Sequence, residues 1–493
     1  MKFSRIAPRL AVFGAALTML FVALQPGPAT GATGFNWSTW GYDNQRTGFN
    51  PAETTLTTAN VGTLTTKWSF TLGQPTIGQP LYAEGVTISG TPTNVLYVIS
   101  EDGKLYALNA DTGAQIWVRS WGMRTTTCTQ NFQNGKAGIT STPVFDRPTN
   151  RIYVVPVDGK MYALNMSTGA TITGWPVTLT GSPSNEYVWS APTLRMLATD
   201  GTVSGYIYVP MASFCDQGSF HGRIIRINVS SRGVLLYRIT SGSVNGGTIW
   251  SYGGVSLNAS TADVFGAPDE SRPGAENQQH AQRMIRWSSG LTLEAQNLPS
   301  IPNSADHSFG STPTLFQAPG CPAEFVIESA TGMLLLVKQN FTNTSGVVQK
   351  IRIATNQIKY RLIGNAAYDP TNNIIVAPTS SSGGGYTRGL VAFQPNNAVT
   401  NCPLVAKWTA PNSVGGTAGW TSEPTIANGV VYYGNGAGKQ LLAYNVVDGT
   451  PLATVTLDGG IWGTPTVANG TVYVGTWNFV TPNQSKIYAL GLP

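Results

Sequence analysis

The stretch LYVISEDGKLYALNADTGAQIW, from Leu96 to Trp117, is matched from Ile152 by IYVVPVDGKMYALNMSTGATI. Each copy reads as an alternating strand, a tight turn on Asp-Gly (Asp102-Gly103, Asp158-Gly159), a second alternating strand, and a second turn ending in Thr-Gly. Gly supplies the positive φ such turns need, and the period-two alternation of Leu, Tyr, Val and Ile sets one row of side chains against a neighbouring sheet. A further strand precedes each unit and opens on a small residue and proline: GQPLY at Pro80, STPVF at Pro143, SAPTL at Pro192, STPTL at Pro313, SEPTI at Pro424 and GTPTV at Pro465. Degenerate copies, SYGGVSL around Gly254 and GNAAY around Ala366, fill the gaps. From Pro80 to Pro465 the eight starts are about 55 residues apart, a period that suits a four-stranded blade with its loops. The expected fold is all-β: an eight-bladed β-propeller of four-stranded antiparallel blades.

The last unit, TVYVGTWNFVTPNQSKIYALGLP, stops after its third strand. LTTKWSFTL, from Leu64 to Leu72, resembles the fourth strands AQIWV at Trp117 and VAKWTA at Trp408 but has no blade of its own before it. It is expected to complete the eighth blade, which ties the chain ends together and leaves no open edge.

Lys2, Arg5 and Arg9 precede the apolar run Ala11 to Leu24 and small residues through Ala32, the pattern of a secretory signal peptide. The run is too short to span a bilayer, so no membrane span is expected. The domain reading is a signal peptide over 1–32, a lead-in segment over 33–63 and the propeller over 64–493. The first cysteine is Cys128, which gives no support to a lipid anchor, and the expected localisation is secreted and extracellular. Without the leader, 26 basic residues face 23 acidic ones, too weak a charge to suggest nucleic acid. Charged residues are 11% of the chain, far below the ~25% usual in globular proteins. Cys128, Cys215, Cys321 and Cys402 permit two disulfides in three connectivities, and pairing in sequence order is expected.

WGYDNQRTGFNP from Trp40, the Asp-Gly-Lys-x-Tyr-Ala-Leu-Asn units, SFCDQGSFHG from Ser213 and ADHSFGSTPTLF from Ala305 together resemble the secreted PQQ-like, or quinoprotein-like, propeller family. That group includes polyvinyl-alcohol-dehydrogenase-like proteins and outer-membrane assembly scaffolds, and the resemblance covers essentially the whole mature chain. It implies a fold rather than an activity. Two features of many quinoprotein dehydrogenases are missing: no two cysteines are adjacent, and no Cys-x-x-Cys-His haem motif occurs.

In a propeller the residues just before each innermost strand lie near the axial funnel. Here they include Tyr187, Trp189, Trp250, Tyr252, Phe309, Trp420 and Trp462, an aromatic set that would either pack between converging blades or stack a flat cofactor or sugar face. Asp306, His307 and Glu423 are the candidate catalytic groups: a carboxylate could act as general base and a histidine could shuttle a proton. The resemblance makes Asp306 the candidate quinoprotein-type base. Asp216 and His221, beside Cys215, would sit on a loop stapled to Cys128 over the funnel. His221, His280 and His307 show no zinc-like spacing, whereas Ca²⁺ on Asp, Asn and backbone oxygens is allowed. DESRPGAENQQH, from Asp269 to His280, reads as a long exposed loop.

The leading reading is an extracellular propeller, expected to be monomeric, that binds a small molecule, glycan or protein partner at its funnel face. The alternative is a PQQ-dependent dehydrogenase of extracellular alcohols or sugars, with PQQ and Ca²⁺ as cofactors. A second alternative is a polysaccharide lyase or hydrolase using His307 with Tyr187 or Glu423.

Overall fold

The computed structural model describes Met1 and residues 35–126, 128, 135–213, 215–216, 218–272, 274–301, 309–355, 364–412, 422–478 and 481–493. They form eight four-stranded antiparallel blades, whose innermost strands begin at Leu81, Val144, Thr193, Ser256, Thr314, Ala367, Thr425 and Thr466. Short 3₁₀ turns at Val61–Thr63 and Pro482–Gln484 are the helical elements among the described residues. Both degenerate repeats are blades. The eighth is closed by Thr65–Thr71, which pairs antiparallel with Lys486–Gly491, placing Ser69 opposite Tyr488. Each blade buries its alternating apolar rows against its neighbours, as in the cluster of Leu96, Leu108, Ile152 and Leu164 between blades 1 and 2.

Two repeated devices join the blades. The first uses the residue after the proline-type start. Thr193, Ser256, Thr314, Thr425 and Thr466 each donate a side-chain hydroxyl hydrogen bond to a carbonyl of the next blade: Val255, Pro313, Ala366, Pro465 and Pro80 respectively. Each such buried bond contributes about 1 kcal/mol net. The second uses the outer strand. Trp68, Trp117 and Trp408 donate their indole N–H groups to the carbonyls of Ala110, Met166 and Val446 in the next blade at 2.9, 3.0 and 2.8 Å.

The lead-in segment is the hub of the ring. In chain order it hydrogen-bonds the innermost strand of every blade. Trp37 and Ser38 bond blades 1 and 2, through Tyr82 and Phe145. Asn44 bonds blades 3 and 4, through Leu194 and Leu257. Gln45, Thr47 and Gly48 follow on blades 5, 6 and 7, through Leu315, Tyr368 and Ile426. Asn50 donates to Val467 of blade 8 at 2.7 Å. Polar side chains here satisfy strand groups that no sheet neighbour reaches on the axis side. Glu53 then accepts from Gly470 N–H at 2.9 Å, anchoring the chain on blade 8 before it enters that blade's outer strand.

Cys128 pairs with Cys215 and Cys321 with Cys402, in sequence order. Cys128 follows the last strand of blade 1, and Cys215 lies between the second and third strands of blade 3; both loop types open on the funnel face. Cys321 and Cys402 lie in loops between first and second, and third and fourth, strands, so they staple blades 5 and 6 on the opposite face. The polar stretch from Asp269 departs from its expected character. Ser271–Arg272 pairs with Asn245–Gly246, and Asp269 and Ser271 are buried, because the Gly246–Gly247 backbone takes partners from this loop. The chain beyond Arg272 is mainly exposed.

Candidate functional site

Four ionisable groups from blades 1, 4, 5 and 7 are coupled electrostatically, Tyr252 to Glu101 and Glu423, and Glu328 to Glu423. Glu101 lies in the turn after Thr91–Ser100 of blade 1, Tyr252 just before blade 4, Glu328 at the end of Ala323–Glu328 in blade 5, and Glu423 just before blade 7. All are buried. Among the described residues, neither carboxylate oxygen of Glu328 nor the Tyr252 hydroxyl has a hydrogen-bond partner. Burial pushes the Glu101 carboxyl up to about 8. It pushes Glu423 up to about 7, although the Thr464 hydroxyl donates to that carboxylate and opposes the rise. Burial and the nearby Glu423 together hold Glu328 well above the carboxylate range, and burial with Glu423 and Glu101 does the same for the Tyr252 phenol. Burial disfavours the charged form of each, and Glu423, with the Thr464 hydroxyl beside it, is raised least of the three carboxyls, into the neutral range.

Arg46 does not supply that charge. Its guanidinium is spent on the hub: it donates to Thr39, Trp40, Pro192, Thr193 and Val255, and burial lowers it to about 9. Between the hub and blades 6 to 8, Trp40, Arg46, Asn365, Glu423 and Thr464 enclose a cavity of about 10 Å³, room for roughly one water.

A second acidic group lies on loops of blades 3 and 4. One ligand atom each from Asp216, Asp269 and Glu270 falls within 4.8 Å of the others. Asp269 is fixed by the Trp250 indole, whose N–H donates to Oδ2 at 3.0 Å, and by its own N–H, which donates to Thr248 O at 2.7 Å. Asp216 is fixed by Ser213, whose hydroxyl donates to Oδ1 at 3.0 Å. Arg272 approaches Asp216 at 3.0 Å and Glu270 at 3.3 Å from the exposed side. Three carboxylates at this spacing suit a hard divalent cation, and the half-buried Trp250 ring beside them offers a flat apolar surface. Arg272 already pairs with Asp216 and Glu270, so a cation on this donor set would share those two carboxylates with the guanidinium.

The residues singled out from sequence divide into three sets. Asp306, His307 and Trp420 lie outside the described residues. Tyr187, Trp189, Tyr252 and Trp462 come to the funnel end of the axis: Tyr187 donates to Gly138 O at 2.6 Å, Trp189 packs edge-on against it with centroids 5.4 Å apart, and Trp462 lies 4.2 Å from Trp477. Phe309 is fully buried in the core between blades 4 and 5. Glu423 is in the axial group, and Trp250 is beside the second one. His221 and His280 are apart, bonded through Nδ1 to Val244 O at 2.9 Å and Gln296 Oε1 at 2.7 Å. Sequence reasoning missed Glu101, Glu328, Asp269 and Glu270 as site residues. The available signal was positional: Glu328 ends the second strand of its blade and the others follow theirs, where chains turn across the funnel.

Residues 37–178, under a third of the chain, match the family model described as the glucose/ethanol/alcohol dehydrogenase β-propeller domain, PQQ. No curated protein matches the sequence. Among solved structures the chain is similar to a quinohemoprotein alcohol dehydrogenase from Comamonas testosteroni, with 13% identity, TM-score 0.69, and 93% of this chain and 80% of that one covered. It is also similar to a europium-containing methanol dehydrogenase, with 13% identity, TM-score 0.67, and 93% and 98% covered. A quinohemoprotein alcohol dehydrogenase from Pseudomonas putida HK5 aligns with 12% identity, TM-score 0.70, and 93% and 80% covered. Likeness at these identities shows the shared fold.

Proposed function

We propose, from the premise that this chain is a PQQ-like β-propeller, that it is a secreted, cation-dependent quinoprotein-type dehydrogenase acting on alcohols or sugars at its funnel face. The observation that carries the reading is the acidic trio Asp216, Asp269 and Glu270 beside the Trp250 ring. The family description over residues 37–178, and dehydrogenases among the similar structures, support it. Two disulfides, with no helix among the described residues long and apolar enough to cross a membrane, accord with secretion.

In this reading Asp216, Asp269 and Glu270 would hold a divalent cation, whose positive charge would favour an anionic quinone, and the Trp250 ring would offer it an apolar face. When bound, pyrroloquinoline quinone supplies the electron-accepting carbonyl, and its electrons leave to an external acceptor. Trp250 keeps Asp269 turned toward the cation. Asp306, the candidate from sequence, takes the substrate hydroxyl proton.

A second reading, a propeller that binds its ligand without turnover, is favoured by the absence of any adjacent cysteine pair. One titration separates the two: mature protein with PQQ and Ca²⁺, followed by absorbance and by dye reduction with a panel of alcohols and sugars. Saturable binding and substrate-dependent dye reduction, both lost in Asp269→Asn, are expected. Binding without dye reduction leaves the second reading, and no binding at high micromolar PQQ with Ca²⁺ rejects both as applied to this cofactor.

A further inference from the structure

The outer strand of each blade is an open sheet edge, whose free N–H and C=O groups template further strands unless a bulge, brevity or charge blunts them. Against the third strand, the outer strands of blades 1, 4, 5, 6, 7 and 8 each carry a bulge. In three of them the bulged residue, Ile116, Lys407 or Lys67, directly precedes the tryptophan that docks on the next blade. Blade 2 is blunted by brevity, its outer strand being only Val177–Thr178. Blade 3 has neither device. Val234–Arg238 pairs in unbroken register with Arg223–Ile227. Nor is this strand drawn onto its neighbour by an indole: the Ser289 carbonyl, in a turn of blade 4, accepts from Arg226 and Tyr208 of the inner strands at 2.9 and 2.8 Å.

The unblunted edge is also the apolar one. Val234, Leu235 and Leu236 are 49, 42 and 43% exposed in succession, whereas other outer strands contribute only Val118 and Val405, singly, among the described residues. Asn228 N–H donates to Gly233 O at 2.9 Å and Ile239 N–H to Gly222 O at 2.8 Å, which fixes the alternation between those two points. Leu235 and Tyr237 therefore turn their backbone groups to the third strand, and Val234, Leu236 and Arg238 turn theirs outward. Among the described residues no loop or further strand takes these outward groups.

Charge says what the edge accepts. Arg232 and Arg238 bracket it, both exposed, and residues 231–239 contain no acid. Among the described residues neither arginine pairs with a carboxylate. We propose that this edge is a docking site for an extended segment of another protein, which adds antiparallel outside Val234–Arg238 and carries apolar side chains flanked by carboxylates. Backbone bonds to Val234, Leu236 and Arg238 supply affinity, the exposed Val and Leu side chains are covered, and the two arginines select the flanks. A second copy of this chain on the same edge would bring four arginines and no acid to one joint, so like charge opposes self-pairing. The site is independent of any chemistry at the funnel face.

The outward N–H of Leu236 provides a clean handle. It takes no part in the ladder of blade 3, so Leu236→Pro removes a docking donor and leaves the blade's own hydrogen bonds in place, as proline on an edge strand does. The probe is an end-blocked, dye-labelled peptide, Glu-Thr-Val-Thr-Val-Thr-Glu, which in antiparallel register sets its valines opposite Leu236 and Val234 and its glutamates opposite Arg238 and Arg232. Two relatives of it are compared: one with Lys in place of both Glu, and one N-methylated at both valines.

The test is fluorescence anisotropy of the three peptides with the mature protein, for wild type, Leu236→Pro and R232E/R238E, with folding checked by circular dichroism. The expected result is saturable binding of the Glu-flanked peptide to wild type, at least tenfold tighter than that of either relative and at least tenfold weaker in Leu236→Pro. R232E/R238E is expected to reverse the preference and take the Lys-flanked peptide. No saturable binding to wild type at millimolar protein, equal affinity for the N-methylated peptide, or Leu236→Pro binding as well as wild type overturns the proposal. Should Leu236→Pro not fold, the N-methylated peptide on wild type carries the same comparison, since it lacks the matching donors. Sedimentation of the protein alone gives the remaining outcome: a dimeric wild type that Leu236→Pro renders monomeric puts a second copy on this edge and overturns the acidic partner.

Discussion

The indole N–H of Trp117, on the outer strand of blade 1, donates to the Met166 carbonyl of blade 2 at 3.0 Å, and its ring lies against Gly169, where a Cβ would stand 2.8 Å from the ring. Gly169 has φ +69°, and the same seat recurs at Gly113 under Trp68 and Gly449 under Trp408. The turn glycine before the fourth strand of one blade, Gly113, Gly169 or Gly449, is therefore the docking platform for the tryptophan of the blade before it.

Gly169→Ala meets two penalties at once, an unfavourable left-handed backbone and a clash with a ring held by its own hydrogen bond. A loss of about 2 to 4 kcal/mol in unfolding free energy is expected. Urea unfolding followed by tryptophan fluorescence measures it, and a loss below ~0.5 kcal/mol would show that the joint yields freely.

Arg46 fastens the hub to blades 3 and 4 through five acceptors. Arg46→Met keeps much of the volume but strands the carbonyls of Trp40 and Pro192, and the variant should lose about 3 kcal/mol or more. The measurement is denaturant unfolding paired with limited proteolysis, in which accelerated cleavage within residues 37–50 is expected. Stability equal to wild type would mean that the hub is held by its backbone bonds alone.

Much of this architecture was legible because the repeat is local. Alternation and Asp-Gly turns are written within 22 residues, and Trp68 in LTTKW betrayed a fourth strand that had lost its blade. What joins the blades was harder to read. The Thr after each proline looked like a strand residue, and its role appears only when the next blade's carbonyl is beside it. The lead-in could be recognised by its resemblance to a family motif but not as a hub, since its partners are spread from Tyr82 to Val467. Glu101 hid inside the Asp-Gly turn of the very unit that revealed the fold. Asp216 and Asp269 are separated by a whole blade of sequence, and only the packing of blade 3 beside blade 4 brings them together.

Trp250 holds Asp269 through one hydrogen bond, so Trp250→Phe keeps an aromatic face while removing the donor. Outer-shell losses of this type cost about tenfold or more in metal affinity. Ca²⁺ titration of Trp250→Phe should show that weakening with the unfolding midpoint little changed. Equal affinity would indicate that Asp269 is oriented by its backbone and other neighbours.

The axial acids make a prediction about pH. Glu423 is pushed up to about 7 and Glu101 to about 8, from 4.5, each by burial first. The folded protein therefore holds protons that the unfolded chain releases near pH 4.5, so their stabilising effect is full below that pH and is lost as pH rises through 7 to 8. The shifts correspond to on the order of 3 kcal/mol at most for Glu423 and on the order of 5 kcal/mol at most for Glu101. Glu328, raised in the same direction, adds to the slope. Unfolding free energy measured in urea should fall between pH 5 and pH 8.5, and Glu423→Gln should flatten that fall and be more stable than wild type at pH 8.5. Since the amide cannot ionise, it removes the desolvation cost while still accepting from Thr464. A wild-type profile that rises with pH over this range would show that the axial carboxylates are ionised and compensated, and a Glu423→Gln profile parallel to wild type would remove Glu423 from the titration.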